Sequence, residues 1–424
     1  MVFIKYSILT LGCKVNSYES EYLSQEMKKK GYISCNIDEN PSIIIINTCS
    51  VTNQSDAKSR KLIKKARKLN PNAFIVACGC SIENKKEELS DIGANILVGN
   101  YNKSKIPDYI EKYKNKEYIN LISSRTNQFE DMFIDQPESK TRAFVKIEDG
   151  CNNYCSYCVI PYLRGNIRSK KLEDAYEEIK SLVRNGHKEI VLTGIHTGSY
   201  GKDIGCDLTD LIKKISEIEN LERIRISSIE VTELNEKFLN ELKSNKKIVN
   251  HMHIPLQSGS DLVLQKMNRK YDTKYFKEKI DEIRRVRPNI NITTDLIVGF
   301  PYESDEEFEK TKKFIETINF SKIHTFPFSV RKNTKAETMK EFFVNDTVKK
   351  QRVKQILDLS IKLEEKYYKK YLNKNVDVLV ESNDKGHSEN YILVYLDKPK
   401  ESGSIVNVKI IDVCGGKVLG KVID

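Results

Sequence analysis

The 424-residue chain has no apolar run approaching the ~20 residues needed to span a membrane. It has no second C-x2-C pair to complete a zinc site of the common two-pair kind. Its glycine-rich stretch Gly194-x3-Gly198-x2-Gly201 has the wrong spacing for a dinucleotide fingerprint. These absences argue against a membrane span, a two-pair zinc ribbon and a nicotinamide enzyme. The start offers one false lead. Tyr6-Ser7-Ile8-Leu9-Thr10-Leu11-Gly12-Cys13 has the look of a lipoprotein signal. Lys5 leaves it only seven residues, at the short limit of an export signal, so a buried strand is the expectation.

What is present is a soluble composition, 39% hydrophobic and 31% charged, long enough for two or three domains. Ten cysteines without an export signal point to a reducing cytoplasm and to thiols used for metal. Three of them form the array Cys151-x3-Cys155-x2-Cys158 on one short polar segment. Thiolates are soft ligands that select iron–sulfur clusters, zinc or copper(I). Three on one loop hold three corners of a cubane and leave the fourth iron open for substrate.

The formal net charge is +11, which suits an anionic partner or a lysine-rich solvated surface. Lys58, Arg60, Lys61, Lys64, Lys65, Arg67 and Lys68 fall within eleven residues that contain no acid. Leu62, Ile63, Ala66 and Leu69 between them follow helical spacing. The segment is an amphipathic helix with a basic outer face, open to nucleic acid or simply to water.

The first hundred residues alternate strands (3–11, 42–47, 74–77) with helices, one of them at 18–30. The pattern predicts a doubly wound parallel sheet. Cys13, Cys49, Cys78 and Cys80 all sit at strand ends, where ligands bind in open α/β sheets. Three of these distant thiols can meet there around a second cluster, or remain small buried residues. Residues 119–140 are a polar, aperiodic connection. Strands at 143–147, 189–193, 223–227, 252–255, 290–296 and 321–326, each followed by a helical pattern, predict a partial (β/α)6 barrel over 141–368. A long charged helix spans roughly 346–370. Strands at 376–381, 391–396, 404–411 and 417–422 predict a small C-terminal β-barrel over 369–424. With nine basic and eight acidic residues, that tail is no electrostatic clamp, so Tyr391 and Tyr395 serve either RNA or the core. His251 and His253 are expected to be satisfied polar residues near a cleft rather than a metal pair.

Gly150-Cys151-Asn152-Asn153-Tyr154-Cys155-Ser156-Tyr157-Cys158-Val159-Ile160-Pro161 resembles the cluster loop of the radical S-adenosylmethionine superfamily. Nearly the whole chain resembles one branch of it, the methylthiotransferases. The resemblance runs through Thr10-Leu11-Gly12-Cys13-Lys14-Val15-Asn16-Ser17-Tyr18-Glu19-Ser20, Asn47-Thr48-Cys49-Ser50-Val51-Thr52, Gly79-Cys80, and Leu163-Arg164-Gly165 with Arg168-Ser169. It continues through His253-Ile254-Pro255-Leu256-Gln257-Ser258-Gly259-Ser260 and Thr294-Asp295-Leu296-Ile297-Val298-Gly299-Phe300-Pro301. The tail is similar to the family's RNA-binding TRAM domain. The run after Cys13 looks like the subgroup that acts on N6-threonylcarbamoyladenosine at position 37 of tRNA. The alternatives are the subgroups acting on isopentenyladenosine-37 or on a ribosomal protein side chain, and more remotely a zinc-stabilised RNA-binding protein without catalysis. Val231 stands where the family often has proline, and Cys78 where it often has a small residue, so the spacing to Gly79 selects Cys80.

The resemblance implies a methylthiotransferase domain at 1–118, a radical domain at 141–368 and the TRAM-like tail. It implies Cys151, Cys155 and Cys158 on a radical-generating [4Fe–4S] cluster, and Cys13, Cys49 and Cys80 on an auxiliary one. One S-adenosylmethionine methylates a sulfur; a second is cleaved to a radical that opens carbon 2 of the adenine. Tyr157, Thr193, Gly194 and Gly299 are the expected S-adenosylmethionine neighbours. Lys61, Lys65 and Lys68 are candidate RNA contacts. Arg164 and Arg168 are expected to meet RNA phosphate or a structural carboxylate. The electron donor and the sulfur source are not legible.

Overall fold

The computed structural model describes residues 4–84, 92–114, 116–137 and 141–423. Phe3 of the expected first strand and Glu138, Ser139 and Lys140 of the expected connection lie outside them. The N-terminal part runs β1 (Lys5–Thr10), α1 (Lys14–Lys29), β2 (Ile33–Ser34), β3 (Ile43–Thr48), α2 (Asn53–Leu69), β4 (Phe74–Gly79), α3 (Cys80–Asn84), β5 (Ile96–Val98), α4 (Ile106–Tyr113) and β6 (Ile119–Asn120). The six strands form one parallel sheet in the order β2-β1-β3-β4-β5-β6. The isoleucines of β3 show why helices cover both faces. Ile43 and Ile45 pack with Leu23 and Met27 of α1, and Ile44 and Ile46 with Ile63 and Ala66 of α2. A strand buried on both sides reads as a continuous apolar run, not an alternating one. Helix α1 starts at Lys14, four residues before the expected start. Asn16 Nδ2 bonds Leu11 O at 2.8 Å and Thr48 O at 3.0 Å, tying its first turn to the β1 and β3 ends.

The second part runs β7 (Arg142–Lys146), β8 (Glu148–Asp149), α5 (Ile160–Arg164), β9 (Arg168–Ser169), α6 (Leu172–Arg184), β10 (Glu189–Thr193), α7 (Leu208–Ser216), β11 (Arg223–Ile226), α8 (Glu236–Ser244), β12 (His251–His253), α9 (Asp261–Lys266), α10 (Thr273–Val286), β13 (Asn291–Val298), α11 (Asp305–Ile318) and β14 (Lys322–Pro327). All six expected barrel strands are present and parallel. They fall into two three-stranded sheets, β7-β10-β11 and β12-β13-β14. A lone bridge between Ile224 and Ile248, and the Ile229 N to His253 O bond of 3.0 Å, join them. The segment entering β12 is held by Arg287, which donates to Leu242 O, Asn245 O, Ile248 O and Asn250 Oδ1, so a side chain replaces part of the ladder. Outward residues such as Ile190, Leu192, Ile224 and Ile226 share one core with Ile179 and Leu182 of α6 and Leu211 and Ile212 of α7.

Helix α12 (Asp346–Lys369) leads to β15 (Asn375–Ser382), β16 (Lys385–Ser388), β17 (Leu393–Leu396), β18 (Ile405–Cys414) and β19 (Lys417–Val422). These close a barrel in the order β15-β16-β17-β19-β18. The sequence pattern missed β16, which has no apolar alternation. Its Gly386 passes so near β15 that a Cβ would lie 2.0 Å from Leu379 O. Tyr391 joins the two barrels. Its ring stacks on His251 at 4.9 Å and His387 at 4.6 Å, with the Arg142 and Arg225 guanidiniums over it. Among the described residues no helix is long and apolar enough to cross a membrane.

Candidate functional site

Cys13 follows β1, Cys49 follows β3 and Cys80 opens α3 behind β4. All three lie at the carboxyl edge of the first sheet, close enough that Cys49 feels Cys80 and Cys13, and Cys13 feels Cys80. The Gly79 turn delivers the last of them. Its φ is +99°, and a Cβ there would lie 2.7 Å from Thr48 O, so only glycine fits. Cys78 instead packs with Tyr6, Val76 and Ile96 on the α1 side, its thiol pushed up to about 12 by burial. Burial also raises Cys49 and Cys13, the latter despite its exposed surface.

The Cys151–Cys158 loop is pinned on every side. Cys151 N donates to Gly165 O at 3.1 Å, Cys158 N to Cys155 O at 2.9 Å, Ser156 N to Met267 O at 2.9 Å and Ala336 N to Ser156 O at 2.7 Å. At Gly150, φ +89°, a Cβ would fall 2.0 Å from Asn166 O. Burial pushes the Cys151 and Cys158 thiols up to about 12. Metal must therefore displace protons as it binds. The Arg269 Nη1 stands 3.3 Å from Cys155 Sγ. Among the described residues no three His, Cys, Asp or Glu side chains are grouped tightly enough for a single metal ion. A cubane holds each thiolate on a different iron, so its ligands stand further apart than the four around one zinc.

Between the two cysteine groups lies a buried ionic network. Arg164 of α5 is 0% exposed. Its Nη1 reaches Asp149 at 3.0 and 3.1 Å and Glu19 of α1 at 3.3 Å. Its Nη2 reaches Asn16 Oδ1 at 2.9 Å, and its Nε reaches Cys80 Sγ at 3.3 Å. Lys146 joins Glu19 at 3.0 Å and Asp149 at 2.8 Å, and Lys103 pairs with Glu19. Burial opposes ionisation of Glu19, but Lys103, Lys146 and Arg164 outweigh it and hold the carboxyl well below its usual range. Val159 and Leu163, beside the radical-type loop, pack directly on Cys80. Arg168 is buried too, bonded to Arg164 O at 2.7 Å and Tyr101 OH at 3.2 Å, with Asp149 3.6 Å away. Neither arginine faces solvent, so the RNA-contact reading of Arg164 and Arg168 is corrected to structural pairing with carboxylates.

The other expected residues divide. Lys61, Lys65 and Lys68 are exposed on α2 and make no ion pair among the described residues. Arg67 instead turns inward to Gly93 O, Pro71 O, Ala73 O and Asn95 Oδ1. Tyr157 packs edge-on against Phe300, ring centroids 6.3 Å apart, in a cluster with Val263 and Met267. The Thr193 carbonyl already accepts from Ile147 N at 2.9 Å. The place of a side chain at Gly299 is filled by Lys349 of α12, 2.3 Å from a built Cβ, so packing accounts for that glycine. Gly194 faces Glu148, whose Oε2 lies 2.7 Å from a built Cβ.

Glu148 was not legible as a site residue. The sequence shows only a turn there, whereas β8 and β9 pair antiparallel and bury it. Its Oε2 accepts from His196 N at 2.7 Å, and its Oε1 is buried with no partner among the described residues. Desolvation holds its carboxyl well above the ordinary range. An orphaned buried carboxyl beside a three-thiol loop is ready for a cationic ligand group.

Residues 145–315 match the family described as Radical SAM superfamily, and residues 5–99 the Uncharacterized protein family UPF0004. The chain is 38% identical to the Threonylcarbamoyladenosine tRNA methylthiotransferase MtaB of Bacillus subtilis, over 95% of this chain and 92% of that protein. A protein of the same name from Thermotoga maritima is 38% identical, over 88% and 86%. The tRNA-2-methylthio-N(6)-dimethylallyladenosine synthase of Clostridium tetani is 36% identical, over 99% and 92%. Among solved structures, the radical S-adenosylmethionine methyltransferase TsrM of Kitasatospora setae shares the fold, with a TM-score of 0.56 at 12% identity over 76% of this chain and 72% of that one.

Proposed function

Since the chain belongs to the radical S-adenosylmethionine tRNA methylthiotransferases, we propose that it places a methylthio group on C2 of N6-threonylcarbamoyladenosine-37 of tRNA. Three units, residues 1–118, 141–368 and 369–424, divide the work. The observation that carries the reading is the packing of Cys80 against α5, the helix that follows the Cys151–Cys158 loop, with Cys13 and Cys49 at the ends of neighbouring strands of the same sheet. Two thiol triads linked through one helix suit an enzyme that needs both a radical and a held sulfur.

Cys151, Cys155 and Cys158 would hold the radical-type [4Fe–4S] cluster, and Cys13, Cys49 and Cys80 a second. Bound there, the clusters and S-adenosylmethionine supply the electron, the radical and the methylatable sulfur that an unactivated aromatic C–H requires. The chain's own groups do the rest. The orphaned Glu148 Oε1 would accept the amino group of S-adenosylmethionine, beside Gly194, which the other oxygen of the same carboxyl faces. Arg164 and Arg269 donate to cysteine sulfur and favour negative charge on each triad. Lys61, Lys65 and Lys68 offer α2 to RNA phosphate.

The Clostridium tetani relative makes isopentenyladenosine-37 the rival substrate. Nucleoside mass spectrometry of tRNA from cells lacking the protein decides between them. Loss of 2-methylthio-N6-threonylcarbamoyladenosine, with its precursor accumulating, is the expected result. Loss of the isopentenyl product instead would reassign the substrate. Anaerobically reconstituted protein should carry about eight iron and eight sulfide; stoichiometric zinc instead would refute both cluster assignments.

A further inference from the structure

One segment, residues 328–336 after β14, touches the surroundings of both thiol groups. Towards the radical-type loop, Ala336 N donates to Ser156 O at 2.7 Å, between Cys155 and Cys158. Phe328 and Ala336 are buried with Val263, Met267 and Phe300, the cluster on which Tyr157 packs. Towards the first sheet, the buried Arg331 spreads its guanidinium over three acceptors. Its Nη2 donates to Ser50 Oγ at 2.7 Å and Asp56 Oδ2 at 2.6 Å, and its Nη1 to Asn53 Oδ1 at 2.6 Å. Asn53 answers from the first turn of α2, its Nδ2 donating to Val330 O at 2.9 Å and its N to Ser329 Oγ at 3.3 Å. Ser50 follows Cys49 in the chain, and Cys49 O accepts from Ser59 Oγ of α2 at 3.1 Å. A tight turn joins the two ends of the segment, with Thr334 Oγ1 donating to Arg331 O at 2.7 Å.

Stability does not explain this clamp. A buried ion pair is often no better than apolar packing of the same volume. Arg331 Nε and Asp56 Oδ1 are also buried with no partner among the described residues, and unmet buried polar atoms cost free energy. The pair does supply direction, because a planar guanidinium on three fixed acceptors admits one orientation of α2. Arg164 already ties Cys80 to α5. One attachment leaves a pivot, and a second on the Cys49 side removes it. We propose that Arg331 is a positioning residue: it fixes the Cys13, Cys49 and Cys80 group relative to the Cys151–Cys158 loop, so that radical and sulfur reach the same carbon. This rests on the two-cluster reading above. Misplacing reacting groups by about 1 Å costs about a hundredfold in rate. Cleavage of S-adenosylmethionine needs only the Cys151–Cys158 loop, whereas sulfur delivery needs both groups in register. Loss of the clamp therefore uncouples the two events instead of slowing them together.

The test uses the full-length reconstituted chain at matched iron content: wild type, Arg331→Met, and Arg331→Met combined with Asp56→Leu. The double variant leaves no unpaired buried charge and so recovers stability; a merely structural role would recover coupling with it. If Arg331→Met does not fold, wild type and the double variant carry the comparison. One readout is 5′-deoxyadenosine released per methylthio nucleoside formed. The other is the distance between spin labels carried by unnatural amino acids at Lys64 of α2 and Lys274 of α10, both exposed. The variants should raise the ratio about ten- to a hundredfold and broaden the distance distribution. An unchanged ratio, an unchanged distance distribution, or a ratio restored in the double variant refutes the positioning role. A wild type that binds about four iron instead of about eight overturns the two-cluster reading, and this role with it. About eight iron beside an unchanged ratio and distance overturns the role of Arg331 alone.

Discussion

Replacing Arg164 by leucine removes the one side chain that touches both carboxylates of the buried network and the sulfur of Cys80. Breaking a buried ion pair by deleting one partner costs about 3–5 kcal/mol, because the remaining charge is left in a dry interior. Here the loss is moderated. Asp149 keeps Lys146 at 2.8 Å and Arg168 at 3.6 Å, while Glu19 keeps Lys146 at 3.0 Å and Lys103. The expected loss for Arg164→Leu is therefore the lower end, about 3 kcal/mol, read from the denaturant midpoint of the metal-free protein under anaerobic conditions. Arg164→Lys keeps the charge but not the fork that reaches Asp149, Asn16 and Cys80 at once, and should fall between wild type and the leucine variant. An RNA-facing arginine would behave in the opposite way. Its loss would lower the salt dependence of tRNA binding by about 0.7–0.9 in the log–log slope and leave stability almost untouched. A stability loss below about 1 kcal/mol, typical of an exposed pair, together with such a drop in slope would refute the buried-bridge reasoning.

Lys61→Ala, Lys65→Ala and Lys68→Ala together should lower the salt slope of tRNA binding by about 0.7–0.9 for each phosphate no longer neutralised, with stability changing by no more than about 0.5 kcal/mol per residue. Gly150→Ala forces a methyl into the space of Asn166 O and a side chain onto φ +89°. It should lower the iron bound at the Cys151–Cys158 loop while leaving the C-terminal barrel folded, as iron analysis and limited proteolysis would show. His251, buried against Tyr391 with Arg225 and Lys14 nearby, has its pKa depressed well below 6.5 by desolvation first and those cations second. The unfolded chain binds that proton below about pH 6.5 and the folded one does not, so stability falls as pH drops through that window, by at most about 1.4 kcal/mol per unit. His251→Phe should flatten this part of the profile of denaturant midpoint against pH.

Much of the architecture was readable because it is local. Six βα units announce themselves by alternating patterns, and all six barrel strands are found, with ends shifted by a few residues. β16 was invisible because its reason to exist is the closure of a barrel around Gly386, not an apolar stripe. The break between β11 and β12 was equally hidden, since Arg287 holds that segment by four long-range acceptors. Glu148 looked like a turn because two-residue strands carry no periodic signal.

The chain by itself determined where the thiols fall. Their spacing at 151, 155 and 158 is set by covalent neighbours, and the positions of Cys13, Cys49 and Cys80 at strand ends follow from where apolar runs stop. What surrounds those thiols was decided only in three dimensions. Arg164 and Arg168 read equally as phosphate contacts or as structural cations, because a side chain's partner is not written in its own segment. Glu19 lies 145 residues from Arg164 and 84 from Lys103, and only the packing of the first sheet against α5 brings them together. That packing removes water from the junction, and in a dry junction a guanidinium must find carboxylates rather than solvent or RNA.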